Sequence, residues 1–126
     1  MSVCLIVDDS RVIRKVARRI VEDLGFVCEE AEDGQQALNF CKKQFPKVIT
    51  LDWQMPVMDG MTFLKTLRAL PGGDAPIVIF CTTENDISKI QEAITAGANE
   101  YIMKPFDAEI VSEKFSQVGL MNGSVG

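Results

Sequence analysis

The sequence predicts an α/β domain built on an open, doubly wound parallel sheet of five strands with five helices. Short apolar runs recur about every two dozen residues, the length of one strand, one helix and two loops. Several of these runs are continuously apolar and β-branched, as strands covered on both faces require. Between them the apolar spacing changes to that of helices, and alternating strands and helices with right-handed crossovers place helices on both faces.

The elements follow in order. Val3-Cys4-Leu5-Ile6-Val7 is the first strand. From Ser10, an N-cap residue type, Ile13, Val16, Ala17, Ile20 and Leu24 fall at helical spacing and are expected to face inward, with Gly25 where a left-handed cap belongs. Val27-Cys28-Glu29-Glu30-Ala31 is more polar, which predicts an edge strand. A second helix is expected over residues 34–44 with Ala37, Leu38 and Cys41 inward, and Val48-Ile49-Thr50-Leu51 is the third strand. The third helix, residues 60–70, turns Phe63, Leu64 and Leu67 inward and stops at Pro71-Gly72-Gly73. Ile77-Val78-Ile79-Phe80-Cys81 is the fourth strand, and a helix over residues 86–96 is expected to bury Ile87, Ile90 and Ile94 before Gly97. Tyr101-Ile102-Met103 and a helix over residues 108–118 complete the pattern. Residues 1–120 are thus expected to form one domain, and 121–126 a loose, flexible polar tail.

The chain of 126 residues is 47% hydrophobic and 25% charged, ordinary globular proportions for one core that needs no disulfide or structural metal. Its net charge of -5 argues against a duplex-binding protein, so nucleic acid is not an expected partner. The absence of His excludes a Ser-His-Asp triad, a Cys-His dyad and imidazole-ligated zinc. Cys4, Cys28, Cys41 and Cys81 form no C-x-x-C and read as buried, reduced packing thiols, which suits the cytosol. No apolar run is long enough to span a membrane and the first one fails as a signal peptide, so a soluble cytoplasmic protein is expected.

In an open parallel sheet the functional crevice lies at the carboxyl ends of the strands. There the sequence sets Asp8-Asp9 after the first strand, Asp52 after the third, Thr82-Thr83 after the fourth and Lys104 after the fifth. Gathered carboxylates repel one another, and protonation or a hard divalent cation relieves the repulsion. Mg²⁺ suits such a site because it takes one or two protein carboxylates and leaves positions for phosphate oxygens. With Lys104 as a point charge and Thr82 as a hydroxyl donor, the set can accept a phosphoryl group, with Asp52 the best-placed nucleophile.

Val7-Asp8-Asp9-Ser10, Asp52-Trp53-Gln54-Met55-Pro56-Val57-Met58-Asp59-Gly60, Thr82-Thr83-Glu84 and Tyr101-Ile102-Met103-Lys104-Pro105-Phe106 together resemble the receiver domain of two-component response regulators, of the stand-alone CheY-like kind. The resemblance covers essentially the whole chain. It implies strand order 2-1-3-4-5, Asp52 as the phosphorylated aspartate, Asp9 as a direct Mg²⁺ ligand with Asp8 acting through water, and the Gln54 main-chain carbonyl as a further ligand. By the same resemblance Lys104 grips the phosphoryl group, Thr82 moves to it, Tyr101 changes rotamer with it, and the Lys104-Pro105 peptide is cis. Gln54 and Glu84 would flank the water that hydrolyses the acyl phosphate. Gln54 departs from the Asn common at that position, which bears on the lifetime of the phosphorylated form.

The implied function is a phosphorylation switch rather than an enzyme, able to take phosphate from small donors and to lose it slowly. It would be charged by a CheA-like sensor histidine kinase, open to a phosphatase, and would act in trans through the face of helix 4, strand 5 and helix 5, in chemotaxis and on the flagellar motor switch. A phosphorelay or phosphate-sink receiver is the runner-up. An Asp-nucleophile phosphatase of the haloacid dehalogenase type is disfavoured because Gln54 stands where such enzymes carry Asp. A pseudo-receiver is disfavoured by intact Asp8, Asp9, Asp52 and Lys104. Simpler readings exist: Thr82 as a cap of helix 4, Tyr101 as an edge aromatic, and Met55, Met58 and Met61 as turn and core residues. The stripe Arg11, Arg14, Lys15, Arg18 and Arg19 reads as a solvated helix face, with a docking surface the alternative.

Overall fold

The computed structural model describes residues 2–83 and 87–120. Five strands, β1 (Val3–Val7), β2 (Val27–Ala31), β3 (Val48–Asp52), β4 (Ile77–Thr82) and β5 (Glu100–Met103), pair in parallel in the order β2-β1-β3-β4-β5. They alternate with α1 (Arg11–Asp23), α2 (Gly34–Lys43), α3 (Gly60–Ala69), α4 (Ile87–Ala96) and α5 (Ala108–Gln117). The doubly wound sheet, its strand order and the polar edge strand β2 are as expected. Residue 86, the expected start of α4, the tail from 121 and Glu84 lie outside the described residues.

Successive side chains on a strand point to opposite faces, so each central strand feeds two cores. Leu5, Val7, Ile49, Leu51, Val78 and Phe80 pack beneath α2, α3 and α4. Cys4, Ile6, Val48, Ile79 and Ile102 pack with Ala17 and Val21 of α1 and Val111 and Phe115 of α5. All four cysteines are buried and free. Side-chain N-caps start the helices: Ser10, Asp33, Asp59 and Asp107 each accept a backbone N–H of the first turn. Gly25, at φ 98°, lets the chain leave α1 in a left-handed turn. Among the described residues no helix is long and apolar enough to cross a membrane.

Two expectations about facing are corrected. On α1 the buried line is Arg14, Ala17 and Val21, at intervals of three and four residues, with Ile13, Ile20 and Leu24 half-buried at its borders. Val16 lies off that line and is exposed, whereas Arg14, assigned to the solvated stripe, is buried. On α4 only Ala93 is buried; Ile90 is half-buried, while Ile87 and Ile94 are 58% and 40% exposed. A small residue faces the sheet there, and the larger isoleucines lie on the outer side.

Candidate functional site

Asp8, Asp9, Asp52, Thr82 and Lys104 share one edge because β1, β3, β4 and β5 are parallel and end there. Asp8 is 4% exposed and every polar group it has is engaged. Its N–H donates to the Ala31 carbonyl at 3.1 Å, and its own carbonyl accepts from Arg14 Nη1 at 2.7 Å. One carboxylate oxygen accepts from the Ser10 N–H at 2.8 Å and the other from Lys104 Nζ at 2.7 Å. Asp9 follows on the same turn and is exposed.

Asp52 closes β3, 8% exposed, with Lys104 Nζ 3.2 Å from its Oδ1. The chain turns sharply after it: Trp53 is half-buried, Gln54 exposed, and Val57 adopts a positive φ of 69°, an uncommon conformation for a β-branched residue. The turn is held by α3, whose first residue, Gly60, donates to the Trp53 carbonyl at 2.8 Å. A Cβ at Gly60 would lie well inside van der Waals contact of the Asp52 carbonyl oxygen, so only glycine admits this approach.

Thr82 ends β4 almost fully buried, its hydroxyl 3.4 Å from the Thr83 carbonyl. Its own carbonyl accepts the Lys104 N–H at 2.6 Å, tying β4 to the lysine-bearing loop. The Lys104-Pro105 peptide is cis. Tyr101 on β5 is half-buried, with the Lys114 ammonium 4.7 Å from its ring centroid.

One carboxylate oxygen from each of Asp8, Asp9 and Asp52 lies within 4.8 Å of the others. Burial pushes the Asp52 carboxyl up from 3.8 to about 6, with the charges of Asp8 and Asp9 adding to the rise and Lys104 opposing it. Burial also disfavours the Lys104 ammonium, but its hydrogen bond to Asp8 and the Asp52 charge outweigh this and hold it above the ordinary lysine value. When all three carboxylates are ionised, one ammonium leaves two negative charges uncompensated. All-oxygen donors with a single exposed member fit a hard divalent cation that keeps part of its water. Asp9, Asp52, Trp53, Gln54, Thr82 and Lys104 line a depression of about 260 Å³ above them, large enough for a phosphoryl group and its waters. A larger depression at the opposite end of the strands, around Phe45 and Pro46, has only Lys47 as a charged side chain and offers no comparable chemistry.

Sequence reading did not single out two contacts at the site. Arg14 lies six residues after Asp8, and its place between the apolar positions of α1 was the available signal. Lys89 of α4 stands 4.8 Å from the Trp53 ring centroid, an approach that no local pattern announces.

The family model for the response regulator receiver domain matches residues 4–116. Chemotaxis protein CheY-3 of Vibrio cholerae is 39% identical over 115 residues, spanning 90% of this chain and 88% of that protein. Chemotaxis protein CheY of Bacillus subtilis is 39% identical, spanning 90% and 93%. Among solved structures, chemotaxis response regulator CheY4 of Vibrio cholerae superposes with a TM-score of 0.87 at 35% identity, covering 94% of this chain and 98% of that one.

Proposed function

The chain belongs to the response regulator receiver family, and we propose that it is a Mg²⁺-dependent phosphoryl switch whose acceptor is Asp52. The observation that carries this reading is the convergence of Lys104 Nζ on both Asp8 and Asp52, 2.7 and 3.2 Å away, beside an exposed Asp9. Asp9, Asp52 and the main-chain carbonyl of Gln54 would hold the cation, with Asp8 acting through water; the bound ion supplies charge neutralisation for the transferring oxygens.

An Asp52 carboxylate oxygen attacks phosphorus in line as the bond to the donor, a kinase imidazole or a small acyl phosphate, breaks and the leaving group departs on the far side. Burial works against the Asp52 carboxylate, whereas the Lys104 ammonium beside it, and a divalent cation when bound, favour the ionised form that attacks. Lys104 then pairs with a phosphoryl oxygen, and the Thr82 hydroxyl, whose present contact is long at 3.4 Å, turns to donate to another. Withdrawal of Thr82 frees room for Tyr101, moving the surface of α4, β5 and α5. Gln54 and Glu84 set the lifetime of the acyl phosphate.

Both curated relatives are named chemotaxis proteins, which supports a CheA-like sensor histidine kinase as donor and a target such as the flagellar motor switch at the α4–β5–α5 face. The exposed Ile87 and Ile94 give that face an apolar surface for a partner. A partner bound equally by both states would transmit nothing, so the target must prefer the phosphorylated form.

Incubation with acetyl phosphate and Mg²⁺ should add one hydroxylamine-labile phosphoryl group, read by intact mass. Asp52→Asn should abolish it; label persisting in that variant would move the acceptor elsewhere.

A further inference from the structure

Arg14 is a charged side chain on the buried line of α1, 9% exposed, where an apolar residue would pack without desolvation cost. Its guanidinium spans two elements. Nε donates to Glu30 Oε1 on β2 at 2.9 Å, and Nη1 donates to the Asp8 main-chain carbonyl at 2.7 Å. We propose that Arg14 is a positioning residue for the acidic site, braced on edge strand β2 so that its grip on the Asp8 carbonyl fixes the turn that aims Asp9 at Asp52.

The Asp8 carbonyl and the Asp9 N–H belong to one rigid peptide plane. Any rotation of that plane carries Asp9 with it, whereas the Asp8 side chain is already held by Ser10 and Lys104. Arg14 is therefore placed to set the orientation of the exposed carboxylate without touching it. Glu30 makes the brace stiff, since its second oxygen accepts from Arg18 Nη1 at 2.7 Å and Arg18 pairs with Glu22 at 3.0 Å. Those two arginines hold the Glu30 carboxyl below the usual carboxylate range, so it stays charged at neutral pH. If Arg14 is removed, Arg18 still pairs with Glu30 and ties α1 to β2.

This inference rests on reading the three carboxylates as a divalent-cation site, and the experiment separates the two. Mg²⁺ is titrated against Trp53 fluorescence in wild type, Asp9→Ala, Arg14→Met, Arg14→Lys and Glu30→Gln, with urea unfolding of each. In the metal-free proteins the Asp9 and Ser10 amides are followed by NMR. Arg14→Met should weaken Mg²⁺ binding about tenfold, as loss of an outer-shell partner does, and should broaden or shift those amides while the unfolding midpoint stays close to wild type. Arg14→Lys, with a single ammonium for two acceptors, should fall between, and Glu30→Gln should weaken binding less than Arg14→Met. Binding within twofold of wild type in Arg14→Met and in Arg14→Lys, with the amides unmoved and Asp9→Ala defective, would overturn the positioning role and leave the cation site standing. Normal binding by Asp9→Ala would overturn the cation site, and with it the role assigned to Arg14.

Discussion

Helices α3 and α4 are neighbours on one face of the sheet, ten residues long each, and both carry large apolar side chains. They use them in opposite ways. α3 buries Gly60, Met61, Phe63, Leu64 and Leu67, whereas α4 buries Ala93 alone and leaves Ile87 and Ile94 exposed. α3 is a fixed wall of the site, because its first residue supports the turn after Asp52. α4 rests on a small residue and on polar bridges: Glu92 to Lys65 of α3 at 3.9 Å, and Lys89 over Trp53. Elements that move in a switch are drawn from the weakly packed end of a structure, and α4 meets that description.

The contrast breaks if the two helices respond alike to substitution. The largest losses belong to α3: Gly60→Ala, which forces a methyl onto the Asp52 carbonyl, and Leu64→Ala, which empties a fully buried site, should each cost about 3 kcal/mol or more in urea unfolding. Losses under about 1 kcal/mol would mean that the wall yields as easily as α4.

The contrast extends to the strand ends from which the two helices depart, Asp52 before α3 and Thr82 before α4. Asp52 has its folded pKa raised to about 6, so folding favours the protonated form. Its contribution to stability is complete below the ordinary value of 3.8 and is lost as pH rises through 6. Metal-free Asp52→Asn should therefore be more stable than wild type at pH 8 by about 2–3 kcal/mol, and the gain should vanish below pH 4. Thr82→Ala should show no such pH dependence. Parallel stability profiles for wild type and Asp52→Asn would remove the electrostatic half of the comparison.

On α4, Ile87→Ala and Ile94→Ala should change stability by no more than about 0.5–1 kcal/mol, because neither side chain fills a core site. The same pair should weaken capture of a phosphorylation-dependent partner. A loss of about 3 kcal/mol in either variant would place these isoleucines in a core. The smallest effect belongs to Lys89→Met, which removes a half-exposed cation–π contact worth about 0.5–1 kcal/mol and should shift Trp53 emission in metal-free protein. Unchanged emission would show that α4 is not coupled to the turn after Asp52 through this pair.

Most of the architecture was legible because it is local. Every strand lies where its run of residues predicts it, although β3 and β4 run one residue further, into Asp52 and Thr82, and β5 begins one residue earlier, at Glu100. The positions gathered at the candidate site were legible because parallel strands bring their carboxyl ends together whatever the loops do. Arg14 and the α4 isoleucines were misread because burial is not a property of one element. Arg14 is charged, yet it is satisfied 16 residues along the chain by Glu30.

By itself the sequence determined the alternation of strand and helix, the edge character of β2, the capped start of α1 and the residue types that stand at the strand ends. These depend on backbone periodicity and on hydrogen bonds spanning a few residues, which any chain of this sequence carries before it folds. Tertiary structure alone decided which of two adjacent aspartates is consumed and which stays open, which face of α4 meets the sheet, and which cation is buried. Lys104 reaches Asp8 across 96 residues, and Arg14 reaches the Asp8 carbonyl only once α1 has packed against β2. Such contacts exist only after distant segments share a core, because burial makes each polar group find its partner wherever in the chain that partner lies.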